Sequence, residues 1–362
     1  MRIVNILLSN KIGGVEDAFV THCKILKSHC QEHNEILAIV KKDAPYANDL
    51  KDHNIGVSEI DNKFGYYDFL AINNIRKLIT NFQADIVFAH VGKGVLFAHK
   101  AIKNHGIPLV GVNHSNNIKR SLDADKILCV NNYINQKVVN AGKKQEDVVT
   151  IPNVIDFTEN ELEQIKQKTI DSSKPIKIGI MCRLIKEKGI FQLFHAVKIS
   201  HDSGLNIQLS VAGEGEEKEN LINLAKDFGI ENNVNFLGWV QDKSSFFNAI
   251  DIFVLPSLHH ETFGIVIIEA MKHKTPVIAS DDNGPSTILQ NGHNGVIVKR
   301  EPLDDMPKKI YNAIQDVVNN PDLTNKMVEN ATEDLLNKYS YQNLANIFDE
   351  IFVELNIVSD AA

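Results

Sequence analysis

Short runs rich in Ile, Val and Leu alternate with longer amphipathic stretches along almost the whole 362-residue chain. In the first half, runs at 2–8, 35–40, 85–89, 107–112, 126–130 and 148–151 predict β-strands, and the stretches 15–31, 69–82, 92–105 and 131–141 predict helices between them. The second half repeats the scheme, with strands at 176–182, 206–212, 233–237, 251–255, 275–280 and 295–298. Its helices fall near 188–202, 216–228, 242–249, 263–273, 303–319, 321–338 and 341–356. Apolar residues at successive positions mark strands buried on both faces, and helices between such strands mark parallel sheets. Residues 157–175, FTENELEQIKQKTIDSSKP, break the alternation, being polar and without a strand. They read as an interdomain link with a helix in its first part. The prediction is an α/β chain of two doubly wound domains, 1–165 and 166–338. Ligands in such sheets bind beyond the carboxyl ends of the strands, so both domains would present their sites to a common cleft.

Composition narrows the class. With 43% hydrophobic and 23% charged residues, disordered and fibrous proteins are excluded. No apolar run approaches the roughly 18 residues of a membrane span. The opening MRIVNILLSN lacks a small-residue cleavage site and reads as a first strand, not a signal peptide. Cys23, Cys30, Cys129 and Cys182 have neither CxxC spacing nor disulfide density, which points to a reducing cytoplasm. A net charge of −8 argues against a general nucleic-acid binder. The acidity lies in the second half: residues 1–165 hold 19 Lys/Arg and 19 Asp/Glu, whereas 166–362 hold 19 and 27. Inside the first half, residues 91–144 carry nine basic side chains against only Asp123 and Asp125.

Three loops carry candidate chemistry. The first strand runs into Asn10-Lys11-Ile12-Gly13-Gly14-Val15-Glu16 and then a helix. Paired glycines let a backbone approach a phosphate or sugar, although an ordinary tight turn has the same look. Strand 176–182 ends at Cys182-Arg183, followed by Lys186, Lys188, Gly189 and a helix, so cations stand where a helix N-terminus already attracts anions. Strand 206–212 ends in another close-approach turn, Gly213-Glu214-Gly215. The most informative stretch is 255–271, LPSLHHETFGIVIIEAM. There Glu261 precedes a helix starting near Thr262-Phe263-Gly264, and Glu269 follows four apolar residues. A carboxylate in such company needs a partner, which a hydroxyl-rich ligand could supply.

With these motifs the chain resembles the retaining glycosyltransferases of family 4, which have the GT-B architecture. The family's Glu-x7-Glu signature corresponds to Glu261 and Glu269. Its Gly-Arg-Leu…Lys-Gly motif corresponds to Cys182-Arg183-Leu184 through Lys188-Gly189, with Cys in place of Gly. Gly13-Gly14 matches its N-terminal glycine loop, and Pro152-Asn153-Val154-Ile155-Asp156 its Pro-Asn-Gly-Val-Asp motif. The segment 339–362 looks like the family's closing helix, which returns to the N-terminal domain. The resemblance implies that Arg183 and Lys188 hold the donor diphosphate and that Glu269 binds the ribose hydroxyls. Glu261 would contact the transferred sugar, with the backbone of Phe263, Gly264 and Ile265 near sugar and β-phosphate. Gly13, Gly14 and Gly213 would line the donor, and His114, in Val112-Asn113-His114-Ser115, matches a family histidine near the reacting carbon. A core or surface role for His114 stays open, and His90 is a poorer candidate.

The implied donor is a nucleotide-diphosphate sugar, UDP-sugar ahead of GDP-sugar, and the family transfers sugars without a metal or other cofactor. His259/His260 and Cys23/Cys30 assemble no metal-ligand pattern. Departures fall at Asn283-Gly284-Pro285-Ser286-Thr287, where Thr287 replaces a Glu, and at Lys274, where a Gly is usual. They leave donor-sugar identity open. Two rivals remain: a nucleotide-sugar 2-epimerase on the same architecture, and a catalytically silent sugar-nucleotide-binding partner. A dinucleotide dehydrogenase fits poorly, since no GxGxxG follows the first strand of either half. The N-terminal domain would hold a sugar or lipid-linked acceptor. Its basic stretch 91–144 suits an anionic acceptor or an anionic membrane surface, giving a cytoplasmic protein peripheral to the inner membrane. By analogy with the family, the pathway is surface polysaccharide or lipopolysaccharide assembly.

Overall fold

The computed structural model describes residues 1–30, 33–259 and 261–357. They form two compact units. One comprises Met1–Ile155 and the segment from Tyr339 onward, the other Asp156–Lys338.

Among the described residues the first unit holds a seven-stranded parallel sheet. Its strands are β1 (Arg2–Leu7), β2 (Glu35–Lys41), β3 (Gly56–Ile60), β4 (Ile86–His90), β5 (Leu109–Asn113), β6 (Lys126–Cys129) and β7 (Val148–Thr150), in the order β3-β2-β1-β4-β5-β6-β7. The central strands β4 and β5 are buried from end to end and β1 from Ile3 onward, as their apolar runs predicted. β3 was not predicted. It pairs only with β2 at the sheet edge, and its GVSEI buries a single residue, so no apolar run marks it. The short helix Ala47–Asp52 was also unforeseen. Helix Tyr341–Glu354 belongs to this unit. Ser340 caps it by accepting from the Asn343 N–H at 3.2 Å, and its buried face of Leu344, Ala345, Phe348, Ile351 and Phe352 follows the helical period. Phe348 lies edge-on to Phe88 with ring centroids 5.6 Å apart. Burying each Phe stabilises the unit by roughly 2–3 kcal/mol.

The second unit holds a six-stranded parallel sheet: β8 (Ile176–Met181), β9 (Ile207–Ala212), β10 (Val234–Gly238), β11 (Ile252–Leu255), β12 (Val277–Ser280) and β13 (Val296–Val298), in the order β10-β9-β8-β11-β12-β13. Strand order reverses between β1 and β4 in the first sheet and between β8 and β11 in the second. The loops leaving the carboxyl ends there diverge and open a crevice.

The division between units falls after Ile155 rather than after 165. Thr158 and Glu161 make a reciprocal capping box on helix Glu159–Gln164. Beyond it, Gln167 bonds Asn325 at 3.1 Å, and the Lys168 ammonium donates to the Phe247 and Ile250 carbonyls, so the link packs with the second unit.

The basic stretch 91–144 does not form one face. Lys93 opens the helix after β4, and Lys119 and Arg120 lie in the loop after β5, where Lys137 reaches the Asn116 carbonyl at 3.4 Å. These four sit toward the carboxyl edge of the sheet. Lys100, Lys103, Lys143 and Lys144 lie toward the opposite edge, where helices end and strands begin. Lys126 is buried and ion-paired with Glu354 of the C-terminal helix. No helix among the described residues is long and apolar enough to cross a membrane.

Candidate active site

At the carboxyl edge of the second sheet, the loops after β8, β9, β11, β12 and β13 converge. The loop after β8 turns through a short 3-10 segment, Lys186–Lys188, into helix Ile190–Asp202. Gly189 makes that turn at φ 66°, and a side chain there would place its Cβ 1.9 Å from the Pro256 carbonyl oxygen. Only glycine brings the β8 loop this close to the β11 loop. Gly213 does the same work after β9: at φ 129° a Cβ would lie 1.9 Å from the Cys182 carbonyl oxygen. Its close approach is thus to the neighbouring loop.

This packing delivers Lys188 to Glu261. The ammonium donates to Oε2 at 2.5 Å, with both side chains mostly buried. Ser257 Oγ adds a contact to the same oxygen at 3.4 Å. Burial pushes the adjacent Cys182 thiol up to about 12, with Lys188 opposing and Glu261 adding to the shift. The cysteine that replaces the family's glycine is therefore a neutral thiol and no nucleophile. Arg183, by contrast, is exposed, and its guanidinium has no hydrogen bond or ion pair among the described residues.

A polar brace centred on buried Asp282 holds Glu261 in place. Its N–H donates to Asp282 Oδ2 at 2.8 Å, and Arg300 donates to Asp282 Oδ1 at 3.2 Å, to Asp281 Oδ1 at 3.0 Å and to the Leu258 carbonyl. Gly284 donates to the Glu261 carbonyl at 2.9 Å, which ties in the segment that departs from the family pattern. The next helix is Ile265–Lys272, capped by Gly264 in a left-handed conformation with no side-chain cap. Its first N–H groups stay available to an anion. Phe263 has a buried side chain, and its backbone packs against Gly284. Glu269, which the sequence left in need of a partner, has one in the protein: Lys243 donates to Oε1 at 2.9 Å. Lys274 keeps the left-handed backbone, φ 49°, that makes glycine usual at its position.

Sequence reasoning missed Lys243, Asp282 and Arg300, which act through pairings far along the chain. It also missed Trp239, an exposed indole just after β10, next to the Gly238 carbonyl that accepts from Gly213 at 2.7 Å. Its being the one tryptophan of the chain was the available signal.

In the first unit, Gly13 and Gly14 begin helix Gly14–Ser28 at the carboxyl end of β1. Glu16, buried in the first helical turn, accepts from Ser9 Oγ at 2.5 Å. His114 follows β5 and is buried. Its Nε2 lies 2.9 Å from Nδ1 of His90, the last residue of β4, and the His22 ring is 5.1 Å from that of His90. His90 Nε2 and both His22 nitrogens have no hydrogen-bond partner among the described residues. Burial holds all three imidazoles neutral at pH 7, His114 down to about 4 and His22 to about 3, with His90 also lowered. His90, the poorer candidate from the sequence, shares one hydrogen bond with His114, so one of the two nitrogens carries the proton and the other accepts. His260 lies outside the described residues.

The second-unit edge can thus offer two cations and a helix N-terminus to a diphosphate, and two carboxylates to hydroxyl groups. The chain is a glycosyltransferase-family protein of GT-B type. Two family sequence models match it in tandem, Glycosyltransferase Family 4 over residues 13–159 and Glycosyl transferases group 1 over residues 161–334, and the chain belongs to that family. It is 28% identical over 228 residues to the lipopolysaccharide core biosynthesis glycosyltransferase LpsE of Rhizobium meliloti, covering 62% of this chain and 63% of LpsE. It is 29% identical over 230 residues to the capsular polysaccharide biosynthesis glycosyltransferase CapM of Staphylococcus aureus, covering 60% of this chain and 59% of CapM. In both pairs the chain spans about three fifths of the relative's length. HepE of Anabaena, solved in complex with UDP, shares the fold with a TM-score of 0.82 at 20% identity, covering 98% of this chain and 100% of HepE.

Proposed function

We propose that the chain is a retaining, metal-independent glycosyltransferase that moves a sugar from a UDP-sugar to a hydroxyl of a sugar or lipid-linked acceptor in lipopolysaccharide or surface polysaccharide assembly. The observation that carries this reading is the convergence of Arg183, Lys188, Glu261 and Glu269 on one sheet edge beside an open helix N-terminus. The relatives' names, LpsE and CapM, support the pathway, and the complex of HepE with UDP supports the nucleotide.

In this reading Arg183 and Lys188 take the diphosphate, Lys188 exchanging Glu261 for phosphate oxygens. The freed Glu261 turns to the transferred sugar and Glu269 to the ribose. The acceptor oxygen forms its bond to the anomeric carbon as the bond to the β-phosphate oxygen breaks. The electron pair leaves with UDP, and the acceptor proton passes to the departing phosphate. The protein contributes positioning and charge stabilisation. The family resemblance assigns His114, in the first unit, a role near the reacting carbon; its imidazole is buried, held neutral by burial and 2.9 Å from His90.

Melting-temperature shifts with UDP, UDP-glucose and GDP-mannose test the donor, because a ligand that binds only the native state stabilises it. UDP compounds should raise the melting temperature and GDP-mannose should not. NMR of the product anomer tests retention. Acceptor-free release of an epimerised nucleotide sugar would instead establish the 2-epimerase, and binding without donor cleavage would establish the silent partner.

A further inference from the structure

The exposed large apolar side chains of the first unit gather at one edge of its sheet. Phe64, Tyr67, Phe69 and Leu70 are exposed by 67%, 79%, 72% and 70%, all within seven residues that run from the loop after β3 into the start of helix Phe69–Phe82. Ile12, after β1, and Tyr133, after β6, lie toward the same carboxyl edge.

This segment is held outward by a buried polar hub. Asp68 caps the helix by accepting from Ala71 at 3.0 Å, and it also accepts from the Phe64 N–H at 3.1 Å and from Asn62 at 3.4 Å. The apolar side chains are thus displayed on a fixed turn. An exposed apolar patch of this kind marks an interaction site.

Charge identifies the partner. The Arg120 guanidinium lies 3.8 Å and the Lys93 ammonium 5.1 Å from the centre of the Tyr66 ring, and Lys63 adjoins Phe64. Within residues 61–70 the acids are Asp68, buried in the hub, and Asp61, paired with Lys63 at 3.2 Å. Phe69 and Leu70 carry no polar atom with which to bind a sugar. Past them the helix exposes Asn73, Asn74 and Lys77, so only its first turn is apolar. Apolar tips flanked by tyrosines and cations match the headgroup level of an anionic bilayer.

We propose that Phe64–Leu70 is a membrane-docking wedge, inserted at headgroup depth into an anionic lipid surface, with Lys63, Lys93 and Arg120 set against the lipid phosphates. It deepens the proposed function by explaining how a lipid-linked acceptor is reached, and it rests on that reading for this purpose alone. The wedge replaces the whole basic stretch 91–144 as the membrane contact, since Lys143 and Lys144 lie toward the other edge.

Vesicle sedimentation of the full chain tests it, using phosphatidylcholine alone or mixed with phosphatidylglycerol. The parent should bind the mixed vesicles, weakly at high salt, and the neutral ones far less. The combined variant F64S/Y67S/F69S/L70S should lose at least about a hundredfold in partitioning, because withdrawing each large apolar side chain from water is worth roughly tenfold or more. The variant K143E/K144E should bind as the parent does. UDP affinity, measured alongside, should be unchanged in the fourfold variant and shows that it is folded. Parent-like binding by the fourfold variant, or no binding of the parent to either vesicle, would overturn the proposal. So would a parent dimer that the fourfold variant dissociates, which would assign the patch to a second copy. A parent that binds vesicles but not UDP would leave the wedge standing and remove the nucleotide-sugar reading.

Discussion

Replacing Lys188 by Met keeps the length and apolar stem of the side chain and deletes the ammonium that lies 2.5 Å from Glu261. The side chains are 17% and 14% exposed, so the carboxylate left behind is poorly hydrated, with only Ser257 Oγ at 3.4 Å to assist it. Breaking a fully buried pair costs about 3–5 kcal/mol. With some solvent contact and the hydroxyl nearby, about 2 kcal/mol is expected here. K188M/E261Q removes both charges and should recover much of the loss, leaving a coupling energy of about 1–2 kcal/mol. Urea unfolding of the parent, the two single variants and the double variant measures this cycle. Titration with UDP adds the functional arm: loss of a charge-assisted hydrogen bond of about 1.5–3 kcal/mol should weaken UDP binding by about 10- to 150-fold. Coupling below about 0.5 kcal/mol together with parent-like UDP affinity in K188M would refute the reasoning.

The paired carboxylates should separate in function: Glu269→Ala weakens UDP binding, whereas Glu261→Ala lowers turnover more than nucleotide affinity, and kinetics within error of the parent for both would remove the pair from the site. Arg300→Ala deletes the brace on Asp282 and Leu258, and is expected to lower kcat about tenfold or more with little change in UDP affinity. Arg300→Lys should restore part of the loss, and an unchanged kcat in Arg300→Ala would make the brace dispensable. The buried imidazoles give a pH signature. Their folded pKa values lie below the unfolded value of 6.5, at about 4 for His114 and about 3 for His22, so protons favour the unfolded chain. Their stability contribution is fully present above about pH 6.5 and is lost as pH falls toward 4. For His114 alone this is worth roughly 3 kcal/mol. Melting temperature followed from pH 7 to pH 4 should fall more steeply in the parent than in H22L, and equal slopes would show that His22 does not stay neutral in the folded state.

The alternation of apolar runs with amphipathic stretches was enough to place most strands of both sheets, because a strand covered on both faces must be apolar at every position. It could not show β3, whose edge place relieves it of that demand, nor the division at Ile155, which depends on where Gln167 and Lys168 find partners. The positions of the motif residues followed the same local pattern: Arg183, Lys188 and Glu261 lie in the loops after strands, and Glu269 within the helix that begins at Ile265. Their pairing did not. Lys188 meets Glu261 because β8 and β11 are neighbours in the sheet, and Glu269 meets Lys243 across two helices. His90 reaches His114 because parallel register sets it opposite Val112, two residues before His114 on the same face. The basic stretch 91–144 looked continuous in the sequence, but successive helices and strands carry the chain from one sheet edge to the other and divide its charges. Local sequence sets which side chains must be buried and where a turn must fall. Strand order and register, which minimise the exposed apolar surface of the whole unit, decide which of those side chains meet.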